Sequence, residues 1–371
     1  MSFSKITDAN RSKTIRSIQV LRAVGASVVV YYHSVDAGGK FNLPSTGAWG
    51  VDLFFVISGF VIGMIAVRNT KMFFLRRVFR VVPLYFIATF AWATAVLLLP
   101  ARADSTEVTY LGLIKSLLFI PYQMPKRDGP ILQLGWTLNY EMFFYLLVAL
   151  ALLLMRKSNK TLVLVFVLLA TIVASGYLWP SSNYIIATYQ SPILLEFLAG
   201  VLISVLYLRG VFPQRVSGRL TSFFIVSVSL ILAIVSFWLL IAQDTAALSL
   251  IASHRAFYYG VPAVALVISA LMIEPFMRDG VITKILLELG EASYAMYLFH
   301  PFVAVFLSEI VLARFIETSN VPFRIMLFLF VYTSVALVSV VINRWLDQPM
   351  QNALRMWSTN RKKVESTRKF H

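Results

Sequence analysis

The chain has 371 residues, of which 59% are hydrophobic and only 13% are charged, a composition that excludes an ordinary soluble enzyme. A formal net charge of +16 would suggest a nucleic-acid partner in a soluble chain. Here the lysines and arginines lie in short breaks between apolar runs, so we expect contact with membrane lipids and no nucleic acid. The chain has no cysteine, which excludes a thiol nucleophile, and its 4 scattered histidines predict no metal site.

Apolar runs long enough to cross a bilayer predict an all-α, polytopic membrane bundle of about ten helices. In chain order they cover 17–35, 48–67, 81–100, 134–155, 160–179, 188–208, 221–242, 256–274, 291–313 and 323–346. Residues 110–124 are apolar but contain Lys115 and Pro121, which predicts an interfacial or re-entrant element; if they span, the termini lie on opposite sides. Residues 1–354 are expected to form one membrane-embedded domain and 355–371 a basic tail.

The basic residues predict the orientation of these helices, because loops that stay in the cytoplasm collect lysine and arginine. The two termini and every second loop hold most of the 33 lysines and arginines. We therefore expect both termini in the cytoplasm and an uncleaved signal-anchor in the first helix.

The first apolar run, SIQVLRAVGASVVVYYHS, carries Arg22 near one end and His33 near the other. Three helical turns separate them, so both side chains lie on one face, about 16 Å apart along the axis. The small residues Gly25 and Ala26 between them predict a narrow groove. In the alternative interpretation, Arg22 reaches the lipid headgroups and His33 is merely interfacial.

The second run, GVDLFFVISGFVIGM, places Asp52 near His33 if the first two helices form a hairpin. A carboxylate beside an imidazole fixes its tautomer and strengthens it as a base. Alternatively, Asp52 caps the start of its own helix. We interpret Ser58, Gly59 and Gly63 as close helix packing rather than as a nucleophilic site.

A basic cluster follows the second helix in KMFFLRRVFRVVPLYF, where Arg77 and Arg80 are one turn apart. Such clusters are typical of topological anchors and of sites for anionic lipid. The competing interpretation is a clamp in which two guanidinium groups hold a multiply phosphorylated ligand such as coenzyme A.

Glu141, in LGWTLNYEMFFYLL, lies about two turns inside the fourth apolar run, too deep to reach the headgroups easily. A carboxyl group buried in a membrane is a functional candidate, and its structural alternative is a hydrogen bond to Asn139, Trp136 or another helix. We interpret His300 as structural or pocket-lining, and Glu196 as a similar but less specific buried acid.

In this order, these blocks resemble the acyltransferase-3 family of integral membrane acyltransferases over nearly the whole chain. The resemblance rests on IQVLRAVGASVVVYYH with its Arg-x10-His motif, VDLFFVISGFVI, FLRRVFRVVPLYF with R-x-x-R, WTLNYEMFFYLL and SYAMYLFHP. The opening RSIQVLRA is similar to exopolysaccharide O-acetyltransferases of the family. One departure is Gln19, where many relatives carry aspartate.

The resemblance implies a bacterial inner-membrane enzyme that uses cytoplasmic acyl-CoA, chiefly acetyl-CoA, as donor substrate without a permanently bound cofactor. Arg77 and Arg80 would hold the phosphates, and Arg22 would guide the pantetheine arm. His33 would act on the thioester as a base or an acyl carrier, oriented by Asp52 or Glu141.

The implied acceptor is a hydroxyl of an exopolysaccharide, lipopolysaccharide or lipid-linked saccharide. Some relatives carry a fused extracytoplasmic domain that this sequence lacks, so direct transfer or separate polysaccharide-synthesis partner proteins are expected. The alternatives are a flippase or transporter of a lipid-linked saccharide, and a non-catalytic assembly or sensor component.

The predicted orientation can be tested by single-cysteine labelling, because the chain has no cysteine of its own. In intact cells, a membrane-impermeant maleimide should modify Asn42→Cys but not Asn69→Cys. Labelling of both variants after permeabilisation is the control. Modification of Asn69→Cys alone in intact cells would reverse the orientation.

Overall fold

The computed structural model describes residues 15–36, 46–68, 72–98, 106–124, 128–155, 158–214, 216, 218–244, 254–307, 315, 320–353 and 356. The proposed labelling sites Asn42 and Asn69, and the tail 355–371 apart from Met356, lie outside these ranges. Within them the chain is helical, with one isolated β-bridge between Gln123 and Asp128. This confirms the predicted all-α class.

Most of the helices match a predicted apolar run. Their bounds are α1 Arg16–Asp36, α2 Gly50–Arg68, α3 Phe73–Leu98, α4 Tyr110–Leu117, α5 Gly135–Met155, α6 Ser158–Leu178, α7 Tyr184–Tyr189, α8 Leu194–Leu208, α9 Arg219–Asp244, α10 Val261–Ile273, α11 Val281–Glu291, α12 Ser293–Val305 and α13 Val321–Ile342. Short π-helical segments precede α10 (Ala256–Gly260) and follow α13 (Asn343–Asp347), and a 3₁₀ turn, Glu274–Phe276, follows α10.

In the part of the chain that the structure describes, 8 helical segments are long and apolar enough to cross a membrane. A polytopic helical membrane protein is thereby confirmed. Two of the ten predicted spans are not among these segments. The span 17–35 corresponds to α1, which carries charged side chains, and the described part of the span 291–313 includes the short helix Ser293–Val305.

Two predicted boundaries differ from the structure for physical reasons. Helix α3 begins at Phe73, before the apolar run, because its first turns carry the basic cluster that hydropathy counts as a loop. The span 188–208 is divided into α7 and α8 at Ser191 and Pro192. Proline lacks a backbone N–H, so helices break readily before it.

Residues 110–124 do not form a transmembrane helix. Helix α4 has 8 residues, about 12 Å of helix against a hydrocarbon core of about 30 Å. It is anchored by the hydroxyl of Ser116, which donates to Gly112 O at 2.8 Å and accepts from Ile131 N at 3.0 Å. Tyr85 of α3 donates to Ser116 O at 3.2 Å. The segment is therefore tied to the bundle, in agreement with an interfacial or re-entrant element.

Helix α2 is the centre of the bundle and packs against α1, α5, α6, α8 and α10. Its contact with α8 is unusually close, because a Cβ added to Gly59 would lie 2.1 Å from Phe197 O. A Cβ on Gly200 of α8 would lie 2.1 Å from Val56 O. Two backbones approach this closely only through glycine, which confirms the packing role predicted for Gly59.

The start of α1 is fixed by a carboxylate distant in sequence. Arg16 N donates to Glu274 Oε1 at 3.1 Å, and Ser17 N donates to Glu274 Oε2 at 2.7 Å. The guanidinium of Arg16 also pairs with Asp279 at 2.8 Å. Because the first amides of a helix have no intrahelical acceptor, Glu274 caps α1 and fixes its axial position.

The α2–α8 contact predicts that Gly59→Ala destabilises the folded protein by about 1–3 kcal/mol, because the new methyl group forces the two backbones apart. Thermal unfolding in detergent measures the effect. Gly280→Ala is the matched control, since a Cβ there meets nothing within 4 Å. An unchanged unfolding midpoint for Gly59→Ala would contradict the close contact.

Candidate functional site

A cavity of about 360 Å³ lies between α1, α2, α3, α5 and α12. Its lining follows α2 from Val51 to Ile65, a distance of about 21 Å along that helix. The cavity is thus long and narrow, a shape that suits an extended chain better than a compact ligand.

One end of the cavity is strongly basic. Arg22, Arg77 and Arg80 all line it, and Arg80 is exposed, so this end reaches the surface. The structure therefore brings Arg22 together with Arg77 and Arg80, which follow it by more than fifty positions in the sequence. Arg22 Nη1 donates to Gln19 Oε1 at 3.4 Å. Gln19 stands where many relatives carry aspartate, so the group that accepts from Arg22 in this chain is a neutral amide.

Donor groups at this end are available to a ligand. Arg77 Nε is buried without a hydrogen-bond partner among the described residues, and so is the hydroxyl of Ser293, which lines the same cavity. Buried donors without partners are costly, and an anion bound at this end would satisfy them. The arrangement is suited to phosphate groups.

Glu141 lines the cavity as its only acidic residue within the described part of the chain. Its Oε1 accepts from Ser58 Oγ at 2.7 Å and from the hydroxyl of Tyr145. The bond from Ser58 agrees with the structural alternative of a hydrogen bond to another helix, whereas Asn139 and Trp136, which that alternative also named, are not the donors. Ser58, which was interpreted as packing, makes this hydrogen bond between α2 and α5.

Helix α12 forms the wall that leads away from the basic end. Tyr294 donates to Val81 O of α3 at 2.7 Å. One turn further on, Tyr297 donates to Leu134 O, just before α5, at 3.0 Å. Tyr297 lines the cavity, and the next turn of α12 carries His300.

His33 and His300 lie side by side beyond Tyr297. Their ring centroids are 5.2 Å apart, with an angle of 31° between the ring planes. His300 is completely buried, whereas His33 is half-buried. The structure thus places a second imidazole beside the histidine that the sequence singles out.

Asp52 does not occupy the position expected for a residue that orients His33. It is completely buried, and both of its oxygens accept from Arg255, Oδ1 from Nε at 2.9 Å and Oδ2 from Nη2 at 2.6 Å. Arg255 also donates to Ala48 O at 2.9 Å and lies over the rings of Trp136 and Tyr259. The physical reason for the difference is that a buried carboxylate needs a cation, and Arg255 supplies it.

The sequence analysis did not single out Arg255, although the position of this residue in the sequence indicates that it has a role. The residue lies before the eighth apolar run, in a set of loops that holds few basic residues. An isolated arginine at such a position has no topological function and therefore points to a buried acid nearby. Glu196, only 2% exposed, belongs to the same cluster.

Comparison with known proteins gives the same family as the motifs. Residues 15–344 match the family described as "Acyltransferase domain". The chain is 31% identical over 281 residues to the "Exopolysaccharide production protein ExoZ" of Rhizobium meliloti (strain 1021), over 74% of this chain and 81% of that protein. No solved structure matches the chain significantly. The chain therefore belongs to the acyltransferase-3 family of membrane proteins.

Proposed function

We propose that the protein transfers an acetyl group from cytoplasmic acetyl-CoA to a hydroxyl of an exopolysaccharide or of its lipid-linked precursor. The observation that carries this proposal is the cavity itself, in which three arginines lie at one end and the lining extends to Tyr297, one turn before His300 on α12. The name of the ExoZ relative supports an exopolysaccharide as the product that is modified.

The basic end of the cavity binds the phosphates of coenzyme A in this proposal. Arg77 and Arg80 contribute guanidinium groups that hold phosphate oxygens in pairs, and Arg22 contacts the part of the donor that enters further. Glu141 lies opposite these arginines and, held by Ser58 and Tyr145, limits the excess of positive charge when the site is empty. Glu141 is then a positioning residue rather than a group that touches the reacting atoms, and Asp52 stabilises the start of α2 through its pair with Arg255.

The thioester meets the acceptor at His33. The acceptor hydroxyl attacks the thioester carbonyl, a C–O bond forms, and the C–S bond breaks. The hydroxyl proton passes to the imidazole of His33 and from there to the sulfur, which leaves as the thiol of coenzyme A. An acyl-histidine intermediate is the alternative, and it would accumulate when acetyl-CoA is supplied without acceptor.

A flippase for a lipid-linked saccharide explains the site less well. Such a protein needs a passage for a sugar and a diphosphate, but it has no need for the pair of adjacent imidazoles formed by His33 and His300. Release of coenzyme A from acetyl-CoA, dependent on the protein and on a saccharide acceptor, distinguishes the two functions. A protein that binds the saccharide but never releases coenzyme A would contradict the proposal.

Replacement of both Arg77 and Arg80 by alanine should weaken acetyl-CoA binding by roughly ten-fold or more per residue, because each charge-assisted contact is worth about 1.5–3 kcal/mol. Equilibrium binding to detergent-purified protein measures this. Arg76→Ala is the matched control, since Arg76 belongs to the same basic cluster but does not line the cavity. Reduced membrane insertion with unchanged affinity would indicate a lipid anchor instead.

His33→Gln should reduce acetyl transfer by roughly 100- to 10,000-fold while leaving acetyl-CoA affinity unchanged, because glutamine keeps hydrogen bonding but loses proton transfer. The assay is incorporation of labelled acetyl groups into saccharide at equal protein level. His254→Gln, at an exposed position, is the control. A His33→Gln protein with the wild-type rate would remove His33 from the reaction.

A further inference from the structure

The two ring nitrogens of His300 differ in their hydrogen bonding, since Nδ1 has partners and Nε2 has none among the described residues. Nδ1 lies 2.8 Å from Tyr297 O and 3.1 Å from Met296 O. Carbonyl oxygens only accept hydrogen bonds, so Nδ1 carries the proton in this ring. Nε2 of the neutral ring is therefore an acceptor, and it is buried without a hydrogen-bond partner among the described residues.

Neighbouring side chains do not supply the missing donor. The ring of His33 is close, yet Nε2 makes no hydrogen bond to it. The hydroxyl of Tyr297 is directed at Leu134 O and Thr137 instead. A completely buried acceptor is costly to leave unsatisfied, so a donor that arrives with a ligand would stabilise this ring.

The chemistry of the two substrates decides which ligand this is. The reacting end of an acetyl thioester offers a carbonyl oxygen and a sulfur, neither of which donates a hydrogen bond. A saccharide hydroxyl does donate. On the proposed function, the hydroxyl must also lie beside His33, and His300 is the ring adjacent to it.

We infer that His300 Nε2 accepts a hydrogen bond from a hydroxyl of the acceptor saccharide and so holds the acceptor beside His33. This inference rests on the proposed acyltransferase function and extends it to the acceptor. His300 is then a substrate-binding residue, whereas the sequence analysis interprets it only as structural or pocket-lining. The backbone contacts of Nδ1 fix the ring so that Nε2 alone is presented to the substrate.

Two amide substitutions separate the functions of the two nitrogens. The longer side chain of His300→Gln places an amide oxygen near the position of Nε2. The shorter side chain of His300→Asn reaches only the position of Nδ1, where it can still donate to the carbonyl of Tyr297. The test uses the full-length protein in detergent, with acetyl-CoA as donor and alkali-deacetylated exopolysaccharide as acceptor.

We expect His300→Asn to lower kcat/KM for the exopolysaccharide by roughly 10- to 100-fold, the range that corresponds to a buried hydroxyl donor that has lost its acceptor. His300→Gln should retain most of the wild-type value. Acetyl-CoA affinity and the slow hydrolysis of acetyl-CoA without acceptor should be the same in both variants and in wild type. Thermal unfolding of both variants verifies that they fold.

The inference is overturned if His300→Asn transfers acetyl groups as well as His300→Gln or better, since that order indicates a purely structural function of Nδ1. It is also overturned if acceptor-independent hydrolysis falls in parallel with transfer, because His300 then acts through His33. The proposed function fails separately, if the wild-type protein neither binds acetyl-CoA nor releases coenzyme A.

Discussion

The backbone contact between α2 and α8 is the constraint on which the remaining structure depends. Because Gly59 and Gly200 carry no side chain, α2 lies directly against α8 and occupies the centre of the bundle. Its other faces are then free to carry polar groups toward three different neighbours. Asp52 faces Arg255, Ser58 faces Glu141, and a continuous strip of side chains lines the cavity.

Charges within this bundle are separated into two systems with different chemistry. Asp52 and Arg255 form a closed pair in which both carboxylate oxygens are occupied, which fixes the start of α2 against the segment before α10. The arginines of the cavity outnumber its acidic residue within the described part of the chain, and one of them retains an unused donor. A satisfied pair stabilises a helix arrangement, whereas an unsatisfied excess of cations attracts an anion.

The sequence predicted most of the helices, but it did not predict which side chains from different helices lie in contact. Apolar runs predicted most helices, and the shared face of Arg22 and His33 follows from helical periodicity alone. The isolated position of Arg255 indicates a buried acidic partner, but that this partner is Asp52 could not be predicted, because it depends on how α10 packs against α2 and not on any spacing along the chain. The same holds for the His33–His300 contact, in which the two rings lie in helices that are adjacent only in the folded bundle.

The cap that Glu274 provides for α1 has a consequence for biosynthesis. The carboxylate lies 258 residues after the amide of Arg16 that it accepts from, so it leaves the ribosome long after α1 has entered the membrane. At usual elongation rates the delay is on the order of tens of seconds. During that interval the first amides of α1 lack the carboxylate of Glu274 that accepts from them in the folded protein. The axial position of the cavity wall that carries Arg22 is therefore fixed only after α10 and Glu274 have emerged from the ribosome.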